Sequence, residues 1–176
     1  MKKTTYCLTL LIVTFSLFVG CKKDDGVAGN YAASLRAWKT FKSSVNNSYQ
    51  YAATSSSWAG FSTETIITVK NGKVVQRAYT LKTIDGKTGA ATVSQSWIED
   101  VATLNSHREG AETLTMDEVY TKAKNQWLAG SSTTETYFET KNQGMISTAG
   151  YREKTCVDDC FVGIHISFIR KTTIEL

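Results

Sequence analysis

Residues 61–81 read FSTETIITVKNGKVVQRAYTL, and this stretch predicts a β-hairpin. Two runs rich in Thr, Ile and Val flank Asn71-Gly72, a dipeptide that favours a type I′ turn because both central residues need positive φ. A two-residue turn sets the register, which is expected to pair Val69 with Val74, Ile67 with Gln76 and Ile66 with Arg77.

An amphipathic helix is predicted before the hairpin, over residues 30–45. The apolar side chains recur at helical spacing, at Leu35, Trp38, Phe41 and Val45. Asn46-Asn47-Ser48 ends this helix. Residues 49–53 then alternate weakly and predict a short strand, which residues 54–60 close as a loop.

The segment after the hairpin is harder to assign. Residues 83–91 are rich in turn formers, and residues 105–113 form a polar loop. Between them, residues 93–104 fit either a helix face or a distorted strand, and the two interpretations stay open. Residues 115–118 then spell TMDE, which is typical of a capping box, and an apolar helical stripe follows as far as Gly130.

The C-terminal part predicts three more strands, over residues 133–140, 145–153 and 161–171, with a turn at residues 141–144. Strands and helices segregated in this order favour a single α+β domain. We expect two amphipathic helices packed on an antiparallel β-sheet of about six strands. Trp38 and Trp127 lie on the apolar helix stripes and are predicted to belong to the core.

Composition limits the class of protein. The chain has 176 residues, of which 41% are hydrophobic and 11% aromatic, so it suits one folded domain and excludes a disordered chain. The net charge is +4, and Lys2 and Lys3 supply two of those charges. Because no basic run is longer than a pair, we expect no nucleic-acid partner.

The N-terminus predicts a cleaved leader over residues 1–20. A positive start is followed by an uncharged apolar stretch over residues 5–20, which is shorter than a transmembrane helix of about 20 residues and suits a signal peptide. The alternative is an uncleaved membrane anchor.

Phe18-Val19-Gly20-Cys21 resembles the lipobox of bacterial lipoproteins. The resemblance implies cleavage before Cys21 and acylation of that cysteine, and several acyl chains hold a protein at a membrane far better than one. Membrane attachment would then be through these N-terminal chains.

Lys23, Asp24 and Asp25 follow that cysteine and resemble the surface-export signal of Bacteroidota-type lipoproteins. This resemblance implies an anchor in the outer membrane with the protein facing the cell exterior. The alternative is a charged linker on a lipoprotein that stays at the periplasmic face. Residues 21–33 are predicted to form a polar tether and residues 34–176 the α+β domain.

Cys156 and Cys160 are the cysteines of the mature domain. Outside the cytoplasm such a pair is expected to form a disulfide, here a clip on a tight hairpin. A zinc site with His107 and His165 and a redox dithiol are the alternatives. We expect neither a metal nor a cofactor.

A second resemblance rests on three stretches in order: TIITVKNGKV at residues 65–74, TMDEVY at 115–120 and CVDDCFVG at 156–163. They resemble an uncharacterised domain family of small bacterial lipoproteins and secreted proteins, over most of residues 45–170. Members often carry a Gly-x-Pro turn, where this chain has Gly144-Met145-Ile146. The resemblance implies no activity.

His165 is the first candidate for chemistry. Val162, Ile164, Ile166 and Phe168 are predicted to share one face of the last strand, leaving His165 and Ser167 on the other with Phe161 and Ile169. Because no Gly-x-Ser-x-Gly elbow is present, we interpret His165 as structural and half-exposed, with a hydrolase as the alternative.

Three further polar residues have ordinary interpretations. His107 is expected to be exposed in a polar loop. Asp158 and Asp159 are interpreted as turn residues rather than calcium ligands.

Trp58 and Phe61 flank Ala59-Gly60 in a Ser-rich loop, and they are candidate contacts for a glycan or protein partner. We therefore expect a lipid-anchored envelope protein with a non-enzymatic binding or structural role and no catalytic residue. A small envelope hydrolase and an inhibitor or immunity-type protein are the alternatives.

Overall fold

The structure is a computed structural model that describes residues 26–172. The predicted signal peptide, Cys21 and the predicted export residues Lys23, Asp24 and Asp25 lie outside this range. The described chain forms α1 (Gly26–Ser44), β1 (Tyr49–Ser57), β2 (Phe61–Lys70), β3 (Lys73–Ile84), β4 (Ala91–Asp100), α2 (Met116–Lys122), a π-helical turn (Ala123–Trp127), β5 (Thr134–Glu139), β6 (Thr148–Glu153) and β7 (Val162–Lys171).

The strands form one antiparallel sheet with the order β4-β3-β2-β1-β7-β6-β5. The α+β class and the antiparallel sheet are therefore confirmed. The finer description is corrected in two respects, because the sheet has seven strands within residues 26–172 and α2 has only seven residues.

The additional strand is β4, which covers most of the segment that the sequence left open. Trp97 and Glu99 lie opposite Tyr79 and Arg77 of β3, while Ile98 between them is 68% exposed on the other face. This alternation has the period of a strand. β4 pairs with β3 along its length, and a buried ion pair between Arg77 and Glu99 adds a side-chain link between the two strands.

A β-bulge changes the register of the β2–β3 hairpin. Val69 pairs with Val74 as predicted, but Thr68 then pairs with Gln76, and the register shifts there by one residue. The predicted pairs of Ile67 with Gln76 and Ile66 with Arg77 are therefore wrong, because Ile67 lies opposite Arg77 and Ile66 opposite Ala78. A bulge leaves one residue unpaired and moves the side chains beyond it to the other face.

Three elements are longer than predicted, and the first is β3, which continues past residue 81 to Ile84. Helix α1 begins at Gly26, so residues 26–33 of the predicted tether are helical. Strand β1 continues to Ser57, so residues 54–57 of the predicted loop belong to the sheet.

The core lies between the helices and one face of the sheet. Trp38 is fully buried and packs edge-on against Tyr49, with ring centroids 4.8 Å apart. The buried tyrosine hydroxyls each have a hydrogen-bond partner. The Tyr49 hydroxyl accepts from the Met116 amide at 2.9 Å, and the Tyr51 hydroxyl donates to the Leu114 carbonyl at 2.7 Å. Trp127 is also buried, which confirms the core assignment of both tryptophans.

The capping box of α2 is confirmed. The Glu118 amide donates to Thr115 Oγ1 at 3.3 Å, and the Thr115 amide donates to the Glu118 carboxylate at 2.7 Å. Two of the amides that a helix start leaves unpaired are thereby satisfied.

A second bulge lies where β1 pairs with β7. Ala52 is opposite Phe168 but Ala53 is opposite Ile166, so Ser167 is the extra residue. Ile166 and Ile169 both reach the core, and Phe168 lies on the other face with His165. The predicted alternation along β7 is therefore wrong beyond Ile166. We call the sheet surface opposite the helices the open face, because no described helix covers it.

Candidate functional site

A row of polar side chains crosses the open face from one edge of the sheet to the other. Residues directly opposite each other in an antiparallel pair share a face. Tyr51 and Ala53 point to the core, so Thr54 points to the open face with its neighbours. We call this set the polar row; it consists of Ser96, Thr80, Glu64, Thr54, His165, Thr148 and Glu139.

A groove of about 380 Å³ lies along the polar row and the residues beside it. Its walls are short hydroxyl side chains together with one carboxylate, one ammonium group and one imidazole. Hydroxyl groups both donate and accept hydrogen bonds, so the groove suits a polar, uncharged ligand. The residues of this hydroxyl groove are Thr54, Ser55, Ser56, Ser62, Thr63, Glu64, Thr80, Lys82 and His165.

A second cavity of about 280 Å³ adjoins the hydroxyl groove and shares Thr54, Ser55, Thr63 and His165 with it. Gly110 and Ala111 form part of its wall. The Ala111 amide donates to Thr65 Oγ1 at 3.0 Å, which holds the loop between β4 and α2 against the sheet. Most of the residues that this cavity adds to the shared ones are apolar, among them Tyr79, Phe161 and Ile164.

His165 is held at the centre of the groove wall by a chain of hydrogen bonds. Its Nδ1 lies 3.2 Å from Thr148 Oγ1, which donates to Glu139 at 3.2 Å. Lys141 pairs with the same carboxylate at 2.9 Å. Partial burial lowers the pKa of His165, although the nearby Glu139 carboxylate acts in the opposite direction.

Phe161 packs over His165 and forms part of the wall of the second cavity. The two ring centroids are 4.2 Å apart in a stacked arrangement, and Tyr137 meets Phe161 edge-on at 6.2 Å. Gly150 makes room for this ring, because a methyl group added there would overlap it.

Trp58 stands at the end of the sheet, two residues beyond Ser56 of the groove. Its side chain is 81% exposed, yet its Nε1 donates to Asp158 Oδ1 at 2.9 Å. Ser57 Oγ donates to Asp159 Oδ2 at 3.0 Å. The turn between β1 and β2 is thus fastened to the loop between β6 and β7.

The disulfide between Cys156 and Cys160 closes that loop, which confirms the predicted clip. The two Cα atoms are 6.3 Å apart, so the loop that carries Asp158 and Asp159 is narrow. Several exposed apolar side chains lie at this same end of the sheet, namely Trp58, Phe61, Ile84, Val157 and Val162.

The structure gives hydrogen-bond partners for three of the candidate residues, Asp158, Asp159 and His165. Asp158 and Asp159 accept hydrogen bonds from the β1–β2 turn. Such a long-range contact cannot be predicted from a local sequence pattern. Within residues 26–172, no hydrogen bond joins His165 to Ser167, and the hydroxyl beside its ring belongs to Thr148. No group of three or more His, Cys, Asp or Glu side chains in that range is placed to hold a metal ion.

His107 lies exposed in its loop, as predicted, with 41% of its side chain accessible, but its ring also has partners that the sequence did not indicate. Its ring stacks on Trp97 with centroids 4.2 Å apart, and its Nδ1 lies 3.1 Å from Glu99 Oε1. Glu99 is fully buried and also accepts two hydrogen bonds from Arg77 at 2.8 and 2.9 Å. The Arg77 guanidinium, above all, holds the pKa of Glu99 well below its usual range.

The polar row was missed at the sequence level although part of its signal was present. Thr54 and Ser56 in β1, Ser62 and Glu64 in β2, and Thr80 and Lys82 in β3 each show the spacing of one strand face. The strand order could not be predicted from the sequence, because β1 pairs with β7, which lies more than a hundred residues further along the chain.

None of the helices in the described range is both long enough and apolar enough to cross a membrane. In comparisons with known proteins, no family model, no curated protein and no solved structure matches this chain.

Proposed function

We propose that this protein is a lipid-anchored binding protein of the bacterial cell envelope that holds a carbohydrate in the hydroxyl groove beside Trp58. The observation that carries the proposal is the exposed Trp58 indole, which Asp158 holds in one orientation next to a groove lined with hydroxyl groups. We also propose kinship with the small lipoprotein family that the chain resembles.

The proposed anchor is Cys21, at the end of the lipobox-like Phe18-Val19-Gly20-Cys21. Lys23, Asp24 and Asp25 support a position on the outer face of the outer membrane. An anchor of this kind displays the domain to the medium, where glycans are abundant ligands.

The groove chemistry supports a sugar more than a protein segment. A sugar presents hydroxyl groups that pair with Ser and Thr side chains, and its C–H face stacks on an aromatic ring. Trp58 is already held by Asp158, so little side-chain freedom is lost when a ligand stacks on it. Glu64 and Lys82 add charged partners, whose hydrogen bonds are stronger than neutral ones.

We assign His165 to ligand binding and not to catalysis. The hydroxyl within hydrogen-bonding distance of its ring belongs to Thr148, which also bonds to Glu139. A serine-type nucleophile needs a free hydroxyl beside the imidazole. Replacement of His165 with Ala should therefore weaken binding and leave no hydrolytic activity to lose on a substrate panel.

The test is a glycan array probed with the purified mature chain and three variants. Trp58→Ala is expected to reduce binding to the strongest glycan by at least about tenfold, which corresponds to the effect of losing a central aromatic contact. Thr54→Val, which keeps the shape and removes the hydroxyl, should weaken it less.

Ile98→Ala is the matched control. Ile98 is also an exposed apolar side chain, but it lies on β4 at the end of the sheet away from Trp58. It should bind as the wild type does. Equal loss in Trp58→Ala and Ile98→Ala would contradict the proposal. Trp58-dependent capture of a purified envelope protein, with no glycan bound, would favour the inhibitor alternative instead.

A further inference from the structure

An apolar cleft of about 670 Å³ lies on the opposite layer of the molecule, between the start of α1 and the end of the π-helical turn. Its walls include Val27, Tyr31 and Leu35 from α1 and Leu128 from beyond the π-helical turn. Its volume is within the range of ligand sites in proteins, roughly 300–1,000 Å³. We call it the helix cleft.

The beginning of α1 is unusual for a helix exposed to water. Residues 26–35, GVAGNYAASL, contain no charged side chain, and Val27 is 40% exposed. A solvent-facing helix normally carries charges on its outer face. An uncharged, partly apolar surface of this kind is typical of a surface that meets another apolar phase.

Positive charge borders the same cleft. Arg36 and Lys124 contribute to its wall, and neither forms an ion pair with any other residue of the described range. Their charges are therefore available to an anionic partner. An apolar floor with a cationic rim matches an acyl chain joined to a phosphate headgroup.

The chain before α1 places this surface close to a membrane. The step from Cys21 to Gly26 covers five residues, so even a fully extended connection spans at most about 18 Å. This argument rests on the proposed acylation of Cys21. A helix tethered so closely has its first turns within reach of the lipid headgroups.

We infer that the helix cleft lies against the bilayer and takes an acyl chain of an anionic phospholipid, with the lipid phosphate between Arg36 and Lys124. Docking through α1 gives the domain a fixed orientation on the membrane instead of free rotation about its tether.

The test places an environment-sensitive, genetically encoded fluorescent amino acid at Ala28 in the full processed chain. The chain is added to vesicles of phosphatidylglycerol and phosphatidylcholine that carry a nitroxide on the acyl chains. Fluorescence at Ala28 is expected to fall by about twofold or more when an acyl chain occupies the cleft. Arg36→Glu with Lys124→Glu should remove most of that quenching.

Ala102 is the matched control position, because it is also an exposed alanine but follows β4, the sheet edge opposite to β5. The label there should not be quenched. Equal quenching at both positions, or none at Ala28, overturns the inference. A label at Ala28 that is shielded equally with and without vesicles also overturns it, because a second copy or another protein segment then fills the cleft.

The intact mass of the chain separates this inference from the proposed anchor. An acylated chain that shows no quenching at Ala28 retains the anchor and refutes the lipid-filled cleft. A chain without acyl groups that is still quenched on phosphatidylglycerol vesicles supports the cleft and refutes the anchor.

Discussion

Glu99 shows how one buried carboxylate organises its surroundings. It accepts hydrogen bonds from the Arg77 guanidinium, from the amides of Asn105 and His107, and from Ser106 Oγ. These bonds fasten the loop after β4 to the sheet. A buried charge is tolerated only when it is fully paired, so the loop and the ion pair depend on each other.

Replacing Glu99 with Gln should destabilise the protein by about 3–5 kcal/mol, because the Arg77 charge is then buried without its partner. Chemical denaturation measures the change. Glu109→Gln, in the same loop but exposed, is the matched control and should alter stability by less than about 0.5 kcal/mol. A similar loss in both variants would contradict the structural role of Glu99.

Acid should destabilise the wild type through the same group. The folded-state pKa of Glu99 is lowered, chiefly by the Arg77 guanidinium, so its contribution to stability is complete above the unfolded value of about 4.3 and is lost as pH falls further. We expect Tm to decline between about pH 5 and pH 3. The decline should be smaller in Glu99→Gln, and an equal decline in both proteins would refute the assignment.

Among the elements, the two bulges decide which side chains face the hydroxyl groove and which face the helices. The bulge in the β2–β3 pairing turns Arg77 toward the helices, where it meets Glu99. The bulge at Ser167 leaves His165 on the open face while Ile166 and Ile169 fill the core. A shift of one residue in a strand exchanges its two faces.

The β2–β3 turn depends on Gly72, whose φ is +78°. Gly72→Ala should cost about 1–2 kcal/mol, because a side chain in the left-handed region is strained and the added methyl would also press on Asn47. Gly86→Ala is the matched control, since nothing lies within 4 Å of an added methyl there. Thermal unfolding of both variants tests the difference, and equal Tm values would contradict it.

The disulfide loop is expected to matter more for binding than for stability. Replacing Cys156 and Cys160 with Ser should cost no more than about 2 kcal/mol, since the closed loop is short. Ligand affinity should nevertheless fall nearly as far as in Trp58→Ala, because Asp158 no longer holds the indole. Parallel unfolding and glycan-binding measurements test this, and unchanged affinity would show that the clip does not position Trp58.

At the scale of the whole molecule, residues distant in the chain form one surface. Trp58 and Asp158 are 100 residues apart, and the polar row takes one residue from each of the seven strands. The helices occupy the other side of the sheet, so the proposed glycan site and the proposed membrane contact of α1 lie on opposite sides of the molecule.

Protease treatment of intact cells tests the proposed position of the molecule. Wild-type protein on the outer surface should be cleaved without opening the outer membrane. Asp24→Ala with Asp25→Ala should be protected, because the export signal is lost, and Cys21→Ala should no longer partition with membranes. Protection of the wild type until the outer membrane is opened would place the domain at the periplasmic face.

Much of the fold can be predicted from local sequence. Alternating β-branched residues around Asn71-Gly72 identify the central hairpin, and the helical stripe through Trp38 identifies α1. Thr115 and Glu118 mark the start of α2, because helix capping depends on residues three positions apart. The candidate site is harder to predict from the sequence. Only Trp58, Phe61, His165 and the Cys156–Cys160 pair stand out before the structure is known.

The remaining features depend on contacts between distant segments. β4 pairs with β3, where Glu99 meets Arg77, and the exposed ring of His107 stacks on Trp97. A local sequence pattern indicates only which face of one helix or strand is apolar and will be buried. The bulges, the strand order and the link from Trp58 to Asp158 come from the tertiary structure, since they depend on partners that the chain brings together only when it folds.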